Sequence, residues 1–107
     1  MPDFSADEAN LPPVHPGEIL LEEFMKPLGF TAYGLAKRLH LPRARVERLS
    51  RGETSVSPDT ALRLGRALGT TPEFWMTLQS DFDLRSPEIR MKADLDAIEP
   101  IRELETA

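Results

Sequence analysis

The sequence predicts an all-α fold: a compact bundle of five helices followed by a C-terminal helical tail. Three observations carry that prediction. Apolar residues recur at steps of three and four along most of the chain. A helix-start signal of hydroxyl, proline and acid repeats three times, at Ser57-Pro58-Asp59, Thr71-Pro72-Glu73 and Ser86-Pro87-Glu88. No alternating apolar–polar run is long enough for a strand, apart from a brief exposed stretch near Glu53–Val56. At 107 residues the chain makes one domain with a single core and little to spare.

Residues 1–14 are polar, acidic and proline-bearing without any period, which reads as a disordered or loosely docked arm. Its acids Asp3, Asp7 and Glu8 are either a solvated terminus or a surface for a basic partner. The first helix starts at His15-Pro16-Gly17-Glu18, with proline at a first helical position and an acid in the first turn. Leu20, Leu21, Phe24, Met25 and Leu28 form its apolar stripe, and Pro27 and Gly29 end it. Thr31 caps a second helix with Leu35, Ala36 and Leu39 facing inward. A turn at Leu39-His40-Leu41 leads to Pro42 at the first position of a third helix, where Val46 and Leu49 face the core and Gly52 closes the end. The fourth helix, about 58–68, turns Leu62, Leu64 and Leu68 inward and stops at Gly69. The fifth, about 72–80, brings Phe74, Trp75 and Leu78, with Phe82 beyond. The resulting division is an acidic arm over 1–14, a helical domain over 15–85 and a tail over 86–107.

Charge is distributed unevenly. Thr31 to Gly52 carries Lys37, Arg38, Arg43, Arg45, Arg48 and Arg51 against the single acid Glu47, a local charge of +5, while the segments on either side each carry −5. Screening confines a charge's reach to about 8 Å at physiological salt, so the local face outweighs the acidic average. Two short helices joined by a tight turn on a basic island read as a helix-turn-helix that meets nucleic acid. A helix turns 100° per residue, so the core direction of Val46 and Leu49 puts Ala44, Glu47, Arg48 and Arg51 on the opposite face, with Arg43 and Arg45 flanking it. Arginine grips guanine O6 and N7 bidentately, Ala44 suits a thymine methyl, and Glu47 either accepts from cytosine N4 or orients Arg43 or Arg51. Thr31 at the positive end of the second helix, Lys37 and Arg51 suit phosphates.

The same composition excludes other classes. With no cysteine, disulfides, thiolate metal sites and cysteine nucleophiles are ruled out. His15 and His40 lie too far apart for a metal pair, and no cofactor motif appears. No Ser/His/Asp set or Gly-rich phosphate loop is present, so an enzyme is not expected. His15 reads as a helix-start residue bonding nearby backbone, and Phe74 and Trp75 as core or dimer surface. No run approaches the roughly 18 apolar residues of a membrane span, and no secretion signal is visible, so the expected location is the cytoplasm.

The string HPGEILLEEFMKPLGFTAYGLAKRLHLP, followed by RVERLSRG and SPDTALRLGRALGTTPEFWMTLQSDFDLR, resembles the HigA family of antitoxins within the lambda-repressor-like helix-turn-helix fold. The match runs from about His15 to Arg85, and the HPGE, DTALRL-ALGT and PEFW-LQ-DL blocks are more specific than a generic helix-turn-helix. The resemblance implies a homodimer that binds operator DNA, represses its own operon and neutralises a HigB-like toxin, itself a RelE-like mRNA interferase. The rival readings are a stand-alone transcriptional regulator of the same fold and an interaction module that has lost DNA binding. Two positions depart from the pattern. His40 stands where the fold usually has glycine, which requires either a positive φ or a remodelled turn. Ala32 stands where many relatives carry a phosphate-contacting glutamine. The tail, with Met91, Leu95 and Ile98 at helical spacing, either docks on its own domain, completes a dimer interface together with the fifth helix, or holds the toxin.

Overall fold

The computed structural model describes residues 12–101, so the acidic arm up to residue 11 and the last residues of the tail lie outside the described residues. Helix α1 is continuous from Pro16 but changes pitch. It is α-helical over Pro16–Ile19, π-helical over Leu20–Met25 and α-helical again over Lys26–Leu28. Then follow α2 (Ala32–Leu39), α3 (Arg43–Ser50), α4 (Pro58–Leu68), α5 (Pro72–Arg90) and α6 (Lys92–Asp96). There is no strand among the described residues; the stretch expected near Glu53–Val56 is a bend followed by irregular chain.

The π segment corrects the expected stripe on α1. Leu20 and Met25 are the buried residues of that segment although they lie five apart, a spacing that an α-helix would place 140° out of register. The i→i+5 ladder, seen in the Lys26 N–H to Leu21 carbonyl bond, brings them onto one face. Leu28, expected inside, is left in solvent.

Three helix ends share one closing device. After α1 the N–H groups of Gly29 and Phe30 return to the carbonyls of Lys26 and Met25. After α2 those of His40 and Leu41 return to Lys37 and Ala36, and after α3 those of Gly52 and Glu53 return to Leu49 and Arg48. This is the Schellman pattern, which needs a left-handed residue. Gly29 and Gly52 supply it without penalty, with φ of 73° and 75°; His40 supplies it at φ 57°. The turn of the helix-turn-helix therefore keeps its shape without glycine, at a cost of about 1 kcal/mol. Part of the compensation is Arg63 on α4, whose Nη1 donates to the Leu39 carbonyl at 2.8 Å and the His40 carbonyl at 3.3 Å.

Three helix starts follow the punctuation read from sequence. The hydroxyls of Thr31, Ser57 and Thr71 accept from the N–H groups of Gly34, Thr60 and Phe74. Pro42, expected inside α3, is instead its N-cap. The third hydroxyl–proline–acid signal fails: Ser86-Pro87-Glu88 lies within α5, which runs to Arg90 and does not stop near 80. Pro87 forfeits one ladder bond, but Arg85, Ser86 and Pro87 remain half-buried and the ladder resumes with Met91 N–H on the Pro87 carbonyl at 2.7 Å.

The core gathers Leu20, Met25, Leu35, Leu39, Val46, Leu49, Val56, Ala61, Leu64 and Trp75. On α4 the buried row is Ala61, Leu64 and Gly65, with Leu68 half-buried, so Leu62 points outward at 61 % exposure, contrary to expectation. Trp75 is fully buried and satisfies its indole N–H with the Thr70 hydroxyl at 2.7 Å.

Candidate nucleic-acid interface

Helix α3 is held from behind by backbone. A side chain on Gly17 would put its Cβ 1.7 Å from the Leu49 carbonyl oxygen, so the first turn of α1 lies directly against the last turn of α3. His15, the N-cap of α1, organises this junction. Its Nδ1 accepts from Gly17 N–H at 2.8 Å, its ring bonds the Thr54 backbone, and it meets the Phe82 ring edge-on at 4.9 Å. Gly52 lies against the same imidazole, within 3.5 Å of where a Cβ would sit. One residue thereby ties α1, the loop after α3 and α5 together.

Burial lowers the pKa of His15 below its ordinary value of 6.5; the Thr54 bond and the Asp83 carboxylate oppose that without cancelling it. The folded protein therefore resists a proton that the unfolded chain accepts. Stability from this site is complete above pH 6.5 and is lost as pH falls through 6.5 toward the lower folded pKa. Denaturant midpoints taken at about pH 7.5 and pH 5.5 should fall more for the wild type than for His15→Asn, whose amide oxygen still caps α1 but does not titrate over that range. An equal fall in both proteins would remove His15 as the cause.

A second brace comes from Gln79 on α5. Although buried, it accepts from Val56 N–H through Oε1 at 2.7 Å and donates from Nε2 to Asp83 at 2.9 Å. It fixes the loop between α3 and α4, and both ends of its amide are satisfied. With His15 and Gln79 on one side and the core residues Val46 and Leu49 on the other, α3 can present only its remaining face.

That face carries Arg43, Ala44, Arg48 and Arg51, all exposed, while Arg45 at its flank is half-buried. Glu47 stands between two arginines. Its Oε1 is 3.4 Å from Arg43 Nε and its Oε2 is 3.8 Å from Arg51 Nη2. Exposed pairs of this kind are worth at most about 1 kcal/mol each. Their effect is geometric, a row of guanidinium groups aligned along one helix face. No side chain caps α3; in its first turn the Arg45 N–H returns to the Pro42 carbonyl at 3.1 Å.

On α2, Thr31 is exposed and its oxygen is engaged as cap to Gly34 N–H at 3.0 Å, which leaves its hydroxyl proton to donate. Lys37 is exposed, with Nζ 5.6 Å from the centre of the Tyr33 ring. Tyr33 itself is 55 % exposed and was not singled out from the sequence. Its signal was present, since the 100° wheel puts it with Lys37 opposite Leu35 and Leu39. All eight residues expected to meet DNA thus lie on α2 and α3 or at their ends, none in the core. Among the described residues no group of three or more His, Asp or Glu side chains is disposed to hold a metal ion, and no helix is long and apolar enough to cross a membrane.

The helix-turn-helix family model HTH_3 matches residues 21–75, which contain the whole of α2, α3 and α4. Among curated relatives, Virulence-associated protein I of Dichelobacter nodosus is 38 % identical over 96 residues, covering 90 % of this chain and 88 % of its own. Antitoxin HigA-1 of Vibrio cholerae serotype O1 is 36 % identical over 89 residues, covering 83 % and 84 %. Among solved structures, antitoxin GraA in complex with its operator is 43 % identical with a TM-score of 0.80, covering 85 % of this chain and 93 % of its own.

Proposed function

The chain belongs to the HTH_3 helix-turn-helix family and stands with its HigA-type antitoxins, and from that premise we propose that it is the antitoxin of a type II toxin–antitoxin module. It binds its operator as a homodimer, represses its own operon, and neutralises a HigB-like, RelE-like mRNA interferase through protein contact. The single observation carrying the DNA reading is the aligned arginine face of α3, supported from behind by backbone and with no side chain capping its N-terminus. In this reading α3 enters the major groove with its N-terminal end. Arg43, Arg45 and Arg48 reach bases or flanking phosphates, Ala44 meets the groove floor, and Glu47 holds Arg43 and Arg51 in register. Thr31 and Lys37 grip the backbone from α2. Two such helices reach successive grooves about 34 Å apart on a palindromic site.

Resemblance to an antitoxin bound to its operator and to another named HigA supports this assignment. The test is a titration of the protein against the promoter region of its own operon at two salt concentrations. Saturable binding at nanomolar protein, weakening steeply as salt rises, is the expected result. Binding no tighter than to unrelated DNA would exclude autorepression by the free protein.

A further inference from the structure

Two features are left unmatched within one chain. The first is a groove of about 480 Å³ along α4, bordered by Arg38, His40, Leu62, Arg63 and Arg66. A second hollow of about 240 Å³ adjoins it, sharing Arg38 and Arg66 and reaching Phe30 and Leu35. The acid of the larger groove, Asp59, is engaged with Arg63 at 3.0 Å, and Arg63 is engaged with the Leu39 and His40 carbonyls. What the groove offers a partner is therefore two exposed cations, Arg38 and Arg66, around the outward-pointing Leu62.

The second feature is the tail. Every residue from Glu88 to Ile101 is exposed, including Ile89, Met91, Leu95, Ile98 and Ile101, so the tail does not dock on its own domain. Met91, Leu95 and Ile98 repeat at i, i+4 and i+7, an apolar row that starts at the N-cap of α6 and ends two residues past it. Glu88, Asp94, Asp96 and Glu99 outnumber Arg90 and Lys92, and Asp96 is paired with Lys92 at 3.0 Å. The tail is thus an acidic segment with an apolar row, complementary to a basic groove with an apolar floor.

We propose that the α4 groove of each copy receives the acidic tail of a second copy, and that this reciprocal exchange closes the homodimer. The inference rests on the homodimer of the proposed function and names its surface. Geometry keeps the exchange between chains. Helix α5 begins at Pro72, which borders the same α4 surface beside Leu62 and Arg66, and its nineteen residues carry the tail about 28 Å away from its own groove. Pairing two tails instead would set one acidic segment against another, whereas tail on groove sets opposite charges together. One groove and one tail per copy satisfy a two-fold axis without leaving an open end. Because the groove adjoins the His40 turn, the contact ties the spacing of the two α3 helices to dimer formation.

Charge reversal tests it directly. Groove variant Arg38→Glu/Arg66→Glu and tail variant Asp94→Lys/Glu99→Lys are each followed by sedimentation velocity, with circular dichroism to compare helix content. Each variant alone should be monomeric at concentrations where the wild type is dimeric, with dimerisation weakened at least tenfold. An equimolar mixture should restore the dimer, since the acidic groove of one then meets the basic tail of the other and the two remaining surfaces are unaltered. A groove variant that dimerises like the wild type overturns this interface and leaves the homodimer standing. A mixture that stays monomeric, with both variants retaining wild-type helix content, also overturns it. A wild type that is monomeric throughout overturns the interface and the homodimer together.

Discussion

Gly17→Ala is expected to destabilise the protein by at least about 3 kcal/mol, since no other glycine would bring a Cβ so close to a neighbouring atom. The added Cβ would sit 1.7 Å from the Leu49 carbonyl oxygen and 2.8 Å from its carbon, so relief requires moving backbone. Neither side can move freely. Leu49 is buried, and its carbonyl already accepts the Gly52 N–H that closes α3. Gly17 donates to the His15 cap. Whatever shifts, the last turn of α3 shifts with it, so DNA affinity should fall even in the fraction that remains folded. Denaturant titration measures the first effect. Operator titration well below the melting temperature measures the second. A loss under 1 kcal/mol would mean that α1 and α3 are not packed as described.

Removing the two arginines that best suit base contact should abolish specific binding while leaving the fold intact. Arg43 and Arg48 are exposed, and the ion pair of Arg43 with Glu47 adds little to stability. Each base-contacting arginine is worth about 1–3 kcal/mol, so the double variant Arg43→Ala/Arg48→Ala should lose about 2–6 kcal/mol of operator affinity. The first tenfold loss in affinity accounts for about 1.4 kcal/mol of it. Helix content and melting temperature should stay within error of the wild type, since neither side chain enters the core. The discriminating comparison is with unrelated DNA, whose binding should weaken far less. Equal losses on both DNAs would demote these residues to phosphate contacts, and unchanged operator affinity would favour an interaction module.

Glu47 shows where sequence reasoning reaches its limit. The helical wheel places it on the outward face but leaves two roles open, reading a base or orienting a neighbour. The structure puts its two oxygens toward Arg43 and Arg51, at 3.4 and 3.8 Å, a geometry that favours orientation. Arg63 and Gln79 are less legible still. Arg63 is one of two basic residues on α4, and beyond its neighbour Asp59 its acceptors are carbonyls 24 and 23 positions away. Gln79 interrupts an apolar row, and only the approach of Val56 N–H, 23 residues back in the chain, explains it. The Ser86-Pro87-Glu88 signal misled for a related reason. A start motif marks a helix only where the preceding backbone is free to turn, and here the preceding residues belong to a helix already packed on the core.

Sequence alone determined the all-α class, the caps at Thr31, Ser57 and Thr71, the tight turn around His40 and the outward arginine face of α3. Each depends on spacing and chemistry within a few residues, where backbone sterics and the 100° helical step leave few alternatives. The tertiary structure decided the π segment that buries Leu20 with Met25, the contact of Gly17 with Leu49, the braces of half-buried His15 and buried Gln79, and the unbroken α5 that carries the tail away. Those depend on which distant groups share a small volume. There, one buried N–H or one clashing carbonyl outweighs the local preferences of many residues.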